Sequence, residues 1–301
     1  MSEAFSFEES ADGLAGPIRT PRNSARHIGA GSIHDDATAQ KLGFRGGTVA
    51  GSLHMEQFPP LLVEAFGDDW LSRGGLSLYF KYATTDGEPV RAYSRRPDPK
   101  DAGKTADTAR TEVWMDDANG NRVCDGSATL GGPDAESTVR QRIASMPEPR
   151  DLRILTNVTA GTTGETKSTK ISEEDLDRRL SVVTEPLPAY SDASIYGHKI
   201  ATPALQVQVL RPSEASVLPR NSDFGVGLFG AIELQLLNGP VFVDYDYQTH
   251  ARVLAVGETP KTEYLYYESI LTDPSNGEDV LSMIMMLRFM KASSKLWESA
   301  K

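Results

Sequence analysis

The stretch Val49-Ala50-Gly51-Ser52-Leu53, which opens an apolar run, is echoed at an offset of 151 by Ile200-Ala201-Thr202-Pro203-Ala204. A second pair of landmarks keeps the same order. Ala118-Asn119-Gly120-Asn121-Arg122-Val123 lies between β-rich runs and returns at an offset of 157 as Ser275-Asn276-Gly277-Glu278-Asp279-Val280. Two different landmarks recurring in one order at nearly one spacing mark two tandem copies of a single domain. Two copies are too few for a solenoid. The chain of 301 residues suits two domains of about 150 each, long enough for separate cores.

Around these landmarks both copies read as a helix followed by strands. In the first, Asp35 to Leu42 is a short helix with acidic residues in its first turn, stopped by Gly43. Gly51 to Phe66 places Leu53, Phe58, Leu61, Leu62, Ala65 and Phe66 at helical spacings, and Pro59-Pro60 forces a kink or an early break. Strands are expected over 76–82, 89–94, 108–116 and 122–130, with Asn119-Gly120 as a two-residue hairpin signal. The second copy adds a helix from Ser172 to about Val183. Ser172-Glu173-Glu174-Asp175 is a capping-box start there, and Ile171 and Leu176 are spaced as a hydrophobic staple. The corresponding first-copy stretch, Thr20 to Ser32, carries Pro21, Gly29 and Gly31 and disfavours such a helix. Strands follow over 229–237, 241–256, 263–272 and 280–290. The expected division is an N-terminal arm over 1–20, a first domain over 21–146 and a second over 150–301.

Composition narrows the function. Charged residues make up 24%, no run of 18 apolar residues occurs, and the first residues are acidic, so neither a membrane span nor a secretory signal is expected. Cys124 is the single cysteine. No internal disulfide can form, a cytoplasmic setting is expected, and Cys124 reads as a small core residue of a strand. A net charge of −11 argues against nucleic acid as a partner, because phosphate neutralisation needs a basic face. The main local excess of positive charge is Arg91, Arg95, Arg96, Lys100, Lys104 and Arg110. It offers a place for the phosphates of an acyl carrier, set against the simpler reading of a solvated loop interleaved with Asp98, Asp101 and Asp107. The five histidines, His27, His34, His54, His198 and His250, have no ligand-like spacing with one another or with Cys124, and no Gly-rich nucleotide loop is present. No metal or cofactor is expected.

One buried helix wrapped by an antiparallel sheet, duplicated, is an α+β plan. His34-Asp35-Asp36-Ala37 followed by Gly43-Phe44-Arg45-Gly46-Gly47-Thr48-Val49-Ala50-Gly51 resembles the MaoC-like hot-dog family of (R)-specific enoyl-CoA hydratases and dehydratases. The second copy is similar to the same family through Ile171 to Tyr190, then Asp192 and Ile200-Ala201. The resemblance implies a tandem double hot-dog and a hydratase or dehydratase, a carbon-oxygen lyase acting on an acyl thioester or similar activated carbonyl. Such chemistry needs a base, an acid and donors for an enolate-like oxygen. In the family an Asp and a His five positions later in an Asp-x-Asn-Pro-hydrophobic-His run move the protons, and a Gly N–H at the start of the central helix binds the oxyanion. His34 matches the His and Gly51 the oxyanion Gly, while Gly29 stands at the Asp position and Gly31 and Ser32 replace Asn and Pro. In the second copy Glu185 and Tyr190 stand at the Asp and His positions, and Thr202 is aligned with Gly51. The resemblance thus implies a catalytic first unit and a second unit reshaped to hold ligand.

His34 and Gly51 are therefore the candidate catalytic residues, and Asp35, Ser52, His54, Glu56 and Tyr190 the candidate substrate contacts. Each has a plainer reading. His34 suits acid/base work because imidazole titrates near neutral pH, yet a histidine at a loop-helix junction also bonds backbone. Asp35 and Asp36 suit helix capping better than replacement of the missing carboxylate. Gly51 lets a carbonyl oxygen approach a helix N-terminus, or simply packs closely. His54 is three residues from Gly51 and lines a pocket or sits satisfied in a core. Glu56 raises a second activity, thioester hydrolysis with a carboxylate as base or nucleophile, although about 140° of helical turn separates it from Gly51. A noncatalytic acyl-binding protein is the third possibility. Internal duplication already supplies the sheet that single hot-dog units obtain by pairing, so a monomer or homodimer is expected.

Overall fold

The computed structural model describes residues 5, 7–10, 13–25, 29–97, 109–218 and 221–298. The strands are β1 (Glu8–Ser10), β2 (Gly13–Ala15), β3 (Gly74–Phe80), β4 (Val90–Ser94), β5 (Ala109–Asp117), β6 (Arg122–Leu130), β7 (Lys167–Thr169), β8 (Gly227–Leu236), β9 (Tyr247–Glu258), β10 (Thr262–Thr272) and β11 (Asp279–Met290). They form one sheet in the order β1-β2-β4-β5-β6-β3-β8-β11-β10-β9-β7, antiparallel throughout. The order β4-β5-β6-β3 of the first unit is mirrored as β9-β10-β11-β8 in the second. The units join where β3 pairs β8, from Gly75 opposite Gln235 to Tyr79 opposite Ala231.

The helices used below are α1 (Asp36–Lys41), α2 (Gly51–Met55), α3 (Pro59–Phe66), α4 (Trp70–Arg73), α5 (Thr138–Ala144), α6 (Glu173–Leu180) and α7 (Pro203–Leu210). The two prolines break the expected helix of the first unit into α2 and α3, since proline donates no N–H to the preceding turn. Met55, Phe58, Leu61 and Leu62 are buried against the inner faces of β3 to β6, and α7 buries Leu205, Val207, Val209 and Leu210 in the same continuous core. α6 begins with the expected capping box, in which Ser172 and Asp175 each accept the other's N–H at 3.1 and 3.2 Å. No helix occurs among the described residues of 20–32.

Within the N-terminal arm, residues 8–10 and 13–15 are strands that extend the sheet beyond β4, with Leu14 buried. Two expectations are corrected. The strand expected over 241–256 starts at Tyr247, because Asp244 has a left-handed φ of 55° and breaks the extended run. The basic run is neutralised at the sheet edge, where Arg91, Arg95, Arg96 and Arg110 pair with Glu8, Glu112, Glu9 and Asp134. Lys100, Lys104, Asp98, Asp101 and Asp107 lie outside the described residues, as does His27. Cys124 is buried in β6, which raises its thiol pKa and keeps it unreactive.

The outer face of the sheet is covered across the β3/β8 seam by α5 from the segment linking the units. Ser137 caps that helix by accepting the Arg140 N–H, and its hydroxyl donates to Glu233 of β8 at 2.5 Å. A second, smaller core forms there. Val139 of α5 packs with Ala231, Tyr266, Ile284 and Met286, and Tyr79, Met146 and Tyr264 lean against them.

Candidate active site

His34 is held by backbone on both sides. The Thr48 N–H donates to Ile33 O at 3.0 Å, and the His34 ring returns a contact of 2.7 Å from Nδ1 to Thr48 O. A carbonyl can only accept, so Nδ1 carries the proton and Nε2 is the basic nitrogen of the neutral ring. Ser32 Oγ accepts the His34 N–H, and Asn23 donates to His34 O. Asp35 caps α1 through the Thr38 N–H and hydroxyl, bonds that hold its carboxyl below the usual range, and Asp36 accepts the Gly47 N–H. Both acids build the loop that carries His34.

Gly51 opens α2, where the first N–H groups have no intrahelical acceptor. A Cβ on Gly51 would stand 2.7 Å from the tip of the Phe80 ring, so a larger residue would have to displace that ring, while glycine suits an approaching oxygen. His54, one turn on, is buried. Its Nε2 meets Thr84 Oγ1 at 2.7 Å, its Nδ1 has no hydrogen-bond partner among the described residues, and burial pushes its pKa down to about 4, so the ring is neutral near pH 7.

His34, Gly51 and His54 share a cavity of about 610 Å³. Phe44, Phe80 and Tyr82 contribute apolar wall from the first unit, and Phe229 and Met290 from the second. The cavity continues round the end of the β3/β8 seam onto the outer face, reaching Tyr79, Arg142 and Arg288. The sequence gives little sign of those residues as site residues, since they are scattered over three elements and follow no motif. Ser52, Asp35, Glu56 and Tyr190 are not among the cavity's lining residues.

Glu56 instead turns toward the second unit. Its Oε1 accepts the Thr202 hydroxyl at 2.7 Å and the Ala204 N–H at 3.1 Å, so it caps α7. Burial raises its pKa to about 7 against the opposing effects of Thr202 and Arg179, and its Oε2 has no hydrogen-bond partner among the described residues. Gly29, at the position of the family carboxylate, has φ +78° and open space around its Cβ direction.

The second unit holds a collapsed counterpart. The Val49 N–H reaches Thr84 O, as the Ala201 N–H reaches Val241 O; the Ile200 N–H reaches Ala189 O, as the Thr48 N–H reaches Ile33 O. Ala50 and Thr202 are the two N-cap residues. The structural offset at the helix start is therefore 152, one more than the sequence echo suggests, and Pro203, not Thr202, stands in the place of Gly51. By the same bonds Tyr190 stands in the place of His34. Proline has no N–H to offer. Tyr190, Pro203 and Gln206 surround only about 20 Å³, filled from the first unit by Trp70 and Leu71. Glu185 is buried and paired with Arg19.

Among the described residues no cluster of three His, Cys, Asp or Glu side chains is placed to hold a metal, and no helix is long and apolar enough to cross a membrane. No family model matches the sequence, and no curated protein matches it either. Solved structures do match. A candidate MaoC domain dehydratase of Chloroflexus aurantiacus is 13% identical with a TM-score of 0.64, over 95% of this chain and 98% of the other. A conserved hypothetical protein of Mycobacterium tuberculosis, described as a double hot-dog, is 13% identical with a TM-score of 0.59, over 95% and 97%. A MaoC-like dehydratase is 13% identical with a TM-score of 0.54, over 96% and 99%. The chain has the double hot-dog fold, the architecture of MaoC-like dehydratases, as its sequence motifs imply.

Proposed function

We propose that the protein is a hydratase or dehydratase-type lyase acting on an acyl thioester or a similar activated carbonyl, with its site in the first unit. The observation that carries this reading is the 2.7 Å contact of His34 Nδ1 with Thr48 O, which orients the ring at a cavity that also contains the start of α2. In the dehydrating direction His34 Nε2 takes the α-proton, the thioester oxygen gains negative charge, and the Gly51 N–H stabilises it. Collapse of that enolate expels the β-hydroxyl, which takes the same proton back from His34 and leaves as water. Hydration is the reverse. One acid/base serves both proton transfers, which accommodates glycine at position 29.

The cavity gives hydrolysis through Glu56 no support, because that carboxylate is engaged by Thr202 and Ala204 and lies outside the lining. The test is turnover of short, medium and aromatic enoyl-CoA and 3-hydroxyacyl-CoA esters by wild type and His34→Ala, followed by mass spectrometry. A change of one water mass that disappears in His34→Ala supports the proposal. Free thiol without a water change points to hydrolysis, and binding without either product points to a noncatalytic acyl-binding protein.

A further inference from the structure

The cavity has a second compartment whose chemistry differs from the first. Strand alternation puts Phe80 on the inner face with α2, and Tyr79 on the outer face with α5. On that outer face the Tyr79 ring is flanked by two guanidinium groups, with Arg142 Cζ 4.4 Å and Arg288 Cζ 5.2 Å from the ring centroid. Arg288 also donates to the Tyr79 hydroxyl. Neither arginine has a carboxylate partner among the described residues, and Lys261 has none at the same mouth. The contrast with the rest of the chain is strong: 42 acidic residues give a net charge of −11, yet no aspartate or glutamate is among the residues that line this cavity. Among the described residues Lys81 is the lysine or arginine of the lining that has an acidic partner, Asp125.

Two guanidinium groups close to one ring, without a carboxylate partner among the described residues, make the local potential positive, screened in part at exposed Arg142. An oxyanion in the cavity within reach of both would accept from their planar forks of N–H donors and offset that charge. We propose that Arg142 and Arg288 form a binding site on the outer face of the sheet for an anionic group, a phosphate or a carboxylate, carried by the substrate at the end away from the reacting carbons. Lys261 adds to the attraction from the turn between β9 and β10. The ligand then passes round the end of the β3/β8 seam, with its reactive end against α2 and its charged end under α5. This rests on reading the cavity as the substrate site, but the anion site itself is measurable without turnover.

The experiment is calorimetric titration of wild type, Arg142→Gln, Arg288→Gln and Arg288→Lys with coenzyme A, inorganic pyrophosphate and succinate. Lys170→Gln, at a surface ion pair with Asp246, controls for net charge. The expected result is binding by wild type of at least one probe, weakened ten-fold or more in Arg142→Gln and Arg288→Gln, intermediate in Arg288→Lys, and unchanged in Lys170→Gln. Preference for coenzyme A and pyrophosphate identifies a phosphate; preference for succinate identifies a carboxylate. Circular dichroism of each variant establishes that it is folded, and Arg142, on the exposed side of α5, is the substitution least able to disturb the core. Unchanged affinity in folded Arg142→Gln, or no binding of any probe by wild type, overturns the proposal. Loss of binding in the arginine variants without a water-mass change in any thioester leaves the anion site standing and removes the lyase reading instead.

Discussion

The two helix starts of this molecule occupy equivalent places and have opposite properties. In the first unit Gly51, His34 and His54 border a cavity of about 610 Å³; in the second Pro203, Tyr190 and Gln206 close around about 20 Å³. The surrounding backbone bonds are the same in both. The difference lies in three side chains and one missing N–H. Glycine leaves room and a donor, whereas proline removes the donor and a tyrosine fills the space a histidine leaves open. The two units share the scaffold, but only the first keeps an open cavity at the helix start. Glu56 links the two results, because a side chain from the α2 end of the first unit caps α7 of the second.

The comparison can be broken most sharply at the paired positions 34 and 190. His34→Ala should lower turnover by about 10²- to 10⁴-fold, the range for loss of a general acid/base, with the denaturation midpoint nearly unchanged. Tyr190→Ala should do the reverse. Its side chain is 2% exposed, so truncation should cost on the order of 3–5 kcal/mol in urea unfolding while the folded protein keeps its turnover number. If Tyr190→Ala abolishes turnover without loss of stability, the second unit is not a structural remnant.

Glu56 predicts a pH signature. Its folded pKa, about 7, lies above the ordinary carboxylate value of 4.5, so the folded state holds the proton more tightly between those values. The associated stability is present below about pH 4.5 and is lost as pH rises through 7, by about 3 kcal/mol from this group alone. Unfolding measured at pH 5 and pH 8 should show that loss in wild type and its absence in Glu56→Gln. An equal decline in both proteins would mean that the buried carboxylate is not its source.

Gly51→Ala tests the close approach. The added methyl meets the Phe80 ring at 2.7 Å, and the displacement should cost about 1–3 kcal/mol. A second change, Phe80→Leu, should recover part of that stability in a double-mutant cycle. A coupling of zero would show that Phe80 moves aside freely and that close packing does not select glycine there.

Much of the fold is legible from local chemistry. Asn119-Gly120 and Asn276-Gly277 mark the two hairpins, Pro59-Pro60 marks the helix break, and Ser172 with Asp175 makes the capping box that starts α6. His34 and Gly51, 17 positions apart, are brought to one cavity as their shared segment suggests. Helical direction is partly legible: about 140° of turn already sets Glu56 apart from Gly51, and it faces α7, while Asp35, which caps α1, and Ser52 lie outside the cavity's lining although both are candidate substrate contacts. Matching the two helix starts is where the sequence reading fails: residue identities align Thr202 with Gly51, while the backbone bonds align Pro203 with it.

What the sequence by itself determined is the duplication, the α+β plan and the segment that borders the first-unit cavity, because turns, caps and hydrophobic periods act over a few residues. Tertiary structure alone decided which unit keeps an open cavity and which cations face it. Arg142 and Arg288 come together on one tyrosine only after β3 has paired with β8 and α5 has crossed the seam. The basic run that stands out in the sequence is meanwhile spent on ion pairs at the sheet edge. A charge's neighbours are set by contacts between residues far apart in the chain, and no local pattern encodes them.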